Sequence, residues 1–154
     1  MRTSKLILGL GLGLACSSPV QPDPLYPSYV LTTVDGQFLP VPWGQDGATL
    51  VDAWLRFDRD PRPRAGEIGV LNGTVRYSVR IRLPDQTVQQ SIVDLDYSIQ
   101  SSQLRINLCP PLALCILSTE LVGIIPGPAL ELELTHFLGG MAEQVYRYSA
   151  SLAE

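Results

Sequence analysis

Positive charge, histidine and helical periodicity are all scarce in this chain. Among 154 residues, 15 are acidic against 11 basic, and there is 1 histidine, His136. Lysine occurs once, at Lys5. One histidine, with no Gly-x-Ser-x-Gly elbow, argues against a serine hydrolase. A metal site at Cys109 and Cys115 would need two more ligands, which this supply does not offer, so no cofactor is expected. Nowhere do apolar residues recur at helical spacing over three turns, which excludes a helical domain. The whole chain has the length of one domain.

What is present is alternation. From Thr74 to Leu83 the odd positions Val75, Tyr77, Val79, Ile81 and Leu83 are apolar, while Arg76, Ser78, Arg80 and Arg82 are polar. That period of two separates the faces of a strand. Pro84-Asp85-Gln86 turns the chain, and Val93, Leu95, Tyr97 and Ile99 return with Asp94 and Asp96 between them. Arginines can then sit across from aspartates on the solvated face of an antiparallel sheet.

The first 15 residues read as a signal peptide: Arg2 and Lys5 form a charged start, and Leu6 to Leu14 a short apolar core, too short for a mature membrane span. Leu12-Gly13-Leu14-Ala15-Cys16 resembles the lipobox of bacterial lipoproteins. That resemblance implies cleavage before Cys16, acylation of the cysteine and a membrane anchor; the alternative is an ordinary secretory signal and a soluble periplasmic or secreted protein. Ser17 and Ser18 resemble the residues of lipoproteins sorted to an outer membrane, facing the periplasm. From Cys16 onward the chain holds 9 arginines against 15 acids, a net charge of −6, and no lysine. Such a surface argues against nucleic acid and anionic head groups, so membrane contact would come through the lipid.

Residues 16–28, with Pro19, Pro22, Pro24 and Pro27, read as an extended tether. A single domain follows over 29–154. Its expected strands run Tyr29 to Val34, Thr49 to Asp58 (Val51, Ala53, Leu55 and Phe57 inward), the hairpin pair above, Leu104 to Leu108, Ile116 to Val122, Leu130 to Leu138 and Glu143 to Ala150. The prolines of Gln37 to Gly44 predict a loop, and 58–73 a long polar connection. Asn72-Gly73-Thr74 matches a glycosylation sequon but reads as an Asn-Gly turn entering a strand. Eight short strands without a helix predict an all-β, antiparallel up-and-down meander closing into a small barrel, with a β-sandwich as the alternative. Closure removes sticky edges.

Tyr29-x-Leu31-x-x-Val34-Asp35-Gly36-x-x-Leu39-Pro40, an alternating meander and a final Tyr-x-Tyr strand together resemble a group of small exported bacterial lipoproteins with lipocalin-like domains. Lipocalins usually carry Gly-x-Trp in the first strand and a helix after the last, and this chain has neither. The resemblance implies a barrel with an open mouth, partly covered by the loop after the first strand.

Cys109 and Cys115 flank a five-residue loop in an exported chain, which predicts a disulfide and leaves Cys16 as the unpaired thiol for acylation. His136 lies on the apolar side of its strand, either touching a ligand or satisfied near the strand's end. Asp94, Asp96, Glu131 and Glu133 face outward and are expected to meet arginine or water rather than converge as an acid–base pair. The chain therefore reads as non-enzymatic.

In a meander, successive connections alternate between the two ends. The end bearing 36–48, 84–86, 109–115 and 139–142 collects Phe38, Leu39, Val41, Trp43, Leu112 and Leu114, an apolar rim that predicts a binding site or a packed plug. The resemblance to lipocalins implies Phe38 and Trp43 as lid residues and Tyr77, Tyr97, His136 and Tyr146 as lining; with Leu112 of the rim these are the candidate ligand-binding residues. Two functions follow: an envelope lipoprotein binding a small apolar molecule in its barrel, or one with a filled barrel that docks an envelope protein.

Overall fold

The structure is a computed structural model. It describes residues 25–44, 46–58, 61–63, 66, 69–109, 115, 117–125 and 128–151. The signal peptide, Cys16, most of the tether and Leu112 lie outside the described residues.

Alternation produces the eight expected strands, and three short ones form in stretches expected to be a loop or connection. They are β1 (Ser28–Val34), β2 (Gln37–Phe38), β3 (Val41–Trp43), β4 (Ala48–Phe57), β5 (Arg62–Pro63), β6 (Val70–Arg82), β7 (Val88–Gln100), β8 (Gln103–Asn107), β9 (Thr119–Ile124), β10 (Glu131–Leu138) and β11 (Met141–Ala150). Each long strand pairs antiparallel with its neighbour in the chain, and the meander closes where β1 meets both β11 and β4. Eight strands, β1, β4 and β6 to β11, make a closed up-and-down barrel of lipocalin-like form; no described residue is helical.

Tight turns set the register. Asp35-Gly36, Ser101-Ser102 and Gly139-Gly140 have both residues in the left-handed region, with φ of 49° and 78°, 49° and 67°, and 58° and 85°. Two consecutive left-handed residues give the turn whose twist matches that of paired strands. At Asp35 the side chain adds a lock, its Oδ1 accepting from Val145 N–H at 2.8 Å while Asp35 N–H donates to the Val145 carbonyl.

The inward faces meet in one core. Tyr29, Leu50, Ala53, Leu55, Val75, Leu104, Ile106, Leu134 and Tyr148 are wholly buried. Outside, Arg76 reaches Asp94 at 2.8 Å, Arg147 reaches Glu133 at 2.7 Å, and Arg80 pairs with Asp52. The carboxylates of the alternating strands are thus solvated partners of arginine, as the sequence predicts.

Several local expectations are corrected. A register shift between Leu50 and Asp52 turns Leu50 inward and leaves Val51 half-buried. A bulge of this kind inserts one residue and flips the alternation beyond it. The stretch read as a proline loop forms β2 and β3, which pair with β1 and β4. Asn72-Gly73 is no turn: both residues lie inside β6, which begins at Val70. β9 starts at Thr119 rather than Ile116.

Candidate functional site

Turns place 35–44, 46–47, 83–87, 108–109, 117–118 and 139–140 at one end of the barrel. The other end carries Ser28, Asp58, the Ser101-Ser102 turn, Ile125 and 128–130. At this second end the interior is a column of rings. Tyr29 and Phe57 stand edge to face at 5.9 Å, and Phe57 and Tyr97 at 5.1 Å. The Tyr29 hydroxyl donates to the Ala129 carbonyl at 2.9 Å and accepts from Tyr26 N–H at 3.1 Å, tying this end shut.

Toward the loop-bearing end the lining changes to phenols. Tyr77, Tyr146 and Tyr148 lie close together, and His136 stands 6.3 Å from Tyr146. Burial pushes the Tyr77 phenol up to about 12 and holds those of Tyr146 and Tyr148 well above the ordinary tyrosine range. Desolvation disfavours the phenolate, so these rings stay neutral donors. Tyr146 donates to Gln144 Oε1 at 2.8 Å, and the His136 Nε2 meets Thr119 Oγ1 at 3.0 Å. His136 Nδ1 is buried with no hydrogen-bond partner among the described residues, and the Glu143 carboxylate stands 3.5 Å away.

Among the predicted lining residues, Tyr77, His136 and Tyr146 come together, whereas Tyr97 belongs to the ring column at the opposite end. Trp43 is half-buried, packed against the core beside Leu39, while Val41 is 4% exposed. β3 and the adjoining Leu39 therefore press inward, whereas both residues of β2 are exposed, Phe38 at 79%. Exposed apolar side chains are not confined to one rim: Phe38 and Met141 mark the loop-bearing end, but Ile124 and Leu130 mark the other. Cys109 and Cys115 form a disulfide.

Two features were missed by sequence reasoning. One is a cavity of about 300 Å³ on the outer wall, lined by Asn72, Asp96, Ser98, Arg105, Asn107 and Glu120 among others. The other is an interruption in the wall. β8 pairs β7 only over Tyr97 to Gln100, then continues with β9, so Val88 to Asp94 of β7 bond β6 on one side and no described residue on the other. Alternation alone gives no warning of either. Among the described residues, no group of three His, Cys, Asp or Glu side chains could hold a metal ion.

These observations define a closed, antiparallel lipocalin-like barrel whose inward side chains meet in one core. Comparison of the chain with protein-family models, curated proteins and solved structures gives no match.

Proposed function

We propose that this chain is an exported lipoprotein, anchored in the bacterial envelope through acyl groups on Cys16, whose side-chain-filled barrel acts by contact with another envelope protein. The leader and the Ala15-Cys16 pair support the anchor, and outer-membrane attachment facing the periplasm fits Ser17 and Ser18. One observation carries the choice of contact over ligand storage: the Tyr29, Phe57 and Tyr97 ring column occupies one end while Val41, Leu39 and Trp43 press in at the other. A ligand-holding barrel keeps open volume on the order of 300 Å³ or more where these side chains sit.

Intact-mass spectrometry of protein purified from its native membrane tests this reading. The expected result is a chain beginning at an acylated Cys16, with Cys109 and Cys115 oxidised and no retained small molecule. An unmodified chain cleaved elsewhere contradicts the anchor, and a stoichiometric apolar ligand contradicts the filled barrel.

A further inference from the structure

The β6–β7 hairpin outruns the barrel. All five residues from Val88 to Ile92 are exposed, Val88 at 53% and Ile92 at 56%, and no described residue pairs this length of β7 along its second edge. Leu83 N–H donates to the Thr87 carbonyl at 2.8 Å. Bonded pairs alternate from there, so Gln89, Ser91 and Val93 exchange bonds with β6 while Val88, Gln90, Ile92 and Asp94 turn their N–H and C=O groups toward the edge that no described residue pairs. Natural sheets blunt such an edge with lysine, proline or a covering segment. β7 has neither residue between Val88 and Gln100.

The open edge leads into the outer cavity through Asp96, which belongs to both. Beyond it stand Asn107 and Glu120, paired across β8 and β9, with Arg105 3.5 Å from Glu120. Asn72 Nδ2 is buried at this cavity with no hydrogen-bond partner among the described residues. A buried donor left unpaired is costly unless a partner supplies an acceptor. Two carboxylates against one guanidinium leave the cavity net negative.

We infer that the Val88–Asp96 edge of β7 takes an extended segment of a partner protein as an added strand, with a lysine or arginine of that segment seated between Asp96 and Glu120. Backbone hydrogen bonds to Val88, Gln90, Ile92 and Asp94 give affinity, the exposed Ile92 and Val88 gain cover, and the cavity gives the charge preference. A second copy of this chain fits less well, because its own β7 edge carries Asp94 and Asp96 and no base. This inference rests on the protein-contact reading and names the surface and the partner's chemistry.

The test pans a display library of short random peptides against the full chain and measures the selected, dye-labelled peptides by fluorescence polarisation. Peptides rich in β-branched residues and carrying a lysine or arginine are expected. Ile92→Pro removes an N–H that faces the edge no described residue pairs and no bond to β6, so it leaves the thermal transition in place and weakens binding by at least about tenfold. Asp96→Asn keeps the edge and abolishes the preference for a basic residue. Peptides that ignore Ile92→Pro, or that show no charge preference, overturn the edge assignment but leave the protein-contact reading standing. Failure to select any peptide, together with tight uptake of a fatty acid, overturns both. A concentration-dependent dimer lost in Ile92→Pro assigns the edge to a second copy and overturns the peptide.

Discussion

The ring of Tyr97 lies across Gly73. The two residues face each other in the β6–β7 ladder, and a methyl group at position 73 would stand 2.7 Å from two ring carbons of Tyr97, with an Asp58 carboxylate oxygen closing in as well. A glycine inside a strand marks such a close approach. Because Tyr97 abuts Phe57 and Phe57 abuts Tyr29, displacing one ring disturbs the column. Gly73→Ala is expected to destabilise the fold by about 2 kcal/mol, the usual cost of overpacking. Denaturant unfolding of the two proteins checks it, and equal midpoints would show that the ring gives way freely.

The Ser101-Ser102 turn holds two non-glycine residues in the left-handed region, with φ of 49° and 67°. The same turn is better served by Asn-Gly. Replacing the pair by Asn-Gly is expected to stabilise the protein by about 1 kcal/mol, since each left-handed L-residue carries a penalty of roughly that size. An unchanged or lowered denaturation midpoint would contradict it.

Buried phenols make the fold alkali-sensitive. In the unfolded chain tyrosines ionise near 10, whereas burial raises Tyr77 to about 12 and holds Tyr146 and Tyr148 well above the ordinary value. A group whose proton is held more tightly in the folded state contributes stability below its unfolded pKa and loses it as pH rises. Stability should therefore be level below pH ~10 and fall steadily above it. Absorbance at the phenolate band should show Tyr77, Tyr146 and Tyr148 resisting titration until unfolding releases them together. Smooth ionisation of all six near their ordinary pKa in the folded protein would contradict this.

The Cys109–Cys115 bridge closes a short ring, with a sequence separation of 6. Chain entropy assigns such a closure about 2 kcal/mol. The double substitution Cys109→Ala, Cys115→Ala should lower unfolding free energy by that amount and keep the β-type far-UV spectrum, because the bridge lies outside the ladders. Loss of the spectrum would mean that the loop nucleates the barrel.

Much of this architecture is written in the alternation. The Val75 to Leu83 face, its return through Val93 to Ile99, and the Asp-Gly, Ser-Ser and Gly-Gly turns yield strand number, order and closure directly. Local two-residue periodicity also explains the arginine–aspartate pairs on the outside. What it hides is anything that depends on a single inserted residue or on where neighbouring strands part. The shift at Val51 is invisible because Leu50 and Val51 are equally apolar. Prolines at 40 and 42 suggest a loop, yet β3 is a short edge element in which proline is tolerated. Tyr97 and Tyr77 share a face, but Tyr77 pairs with Val93, four residues along β7 from Tyr97, and that offset carries them toward opposite ends of the barrel. The open edge of β7 arises because β8 leaves after four paired residues, a tertiary event with no local signature.

The central claim is that the barrel interior is taken up by its own side chains, and titration with palmitic acid tests it most directly. Trp43 packs against the core at the end where a ligand would enter, so its fluorescence reports entry. The account predicts no saturable change in emission and no heat of binding by calorimetry up to the solubility limit of the acid. Stoichiometric, saturable quenching that disappears when Tyr77 or Tyr146 is enlarged to tryptophan would contradict it.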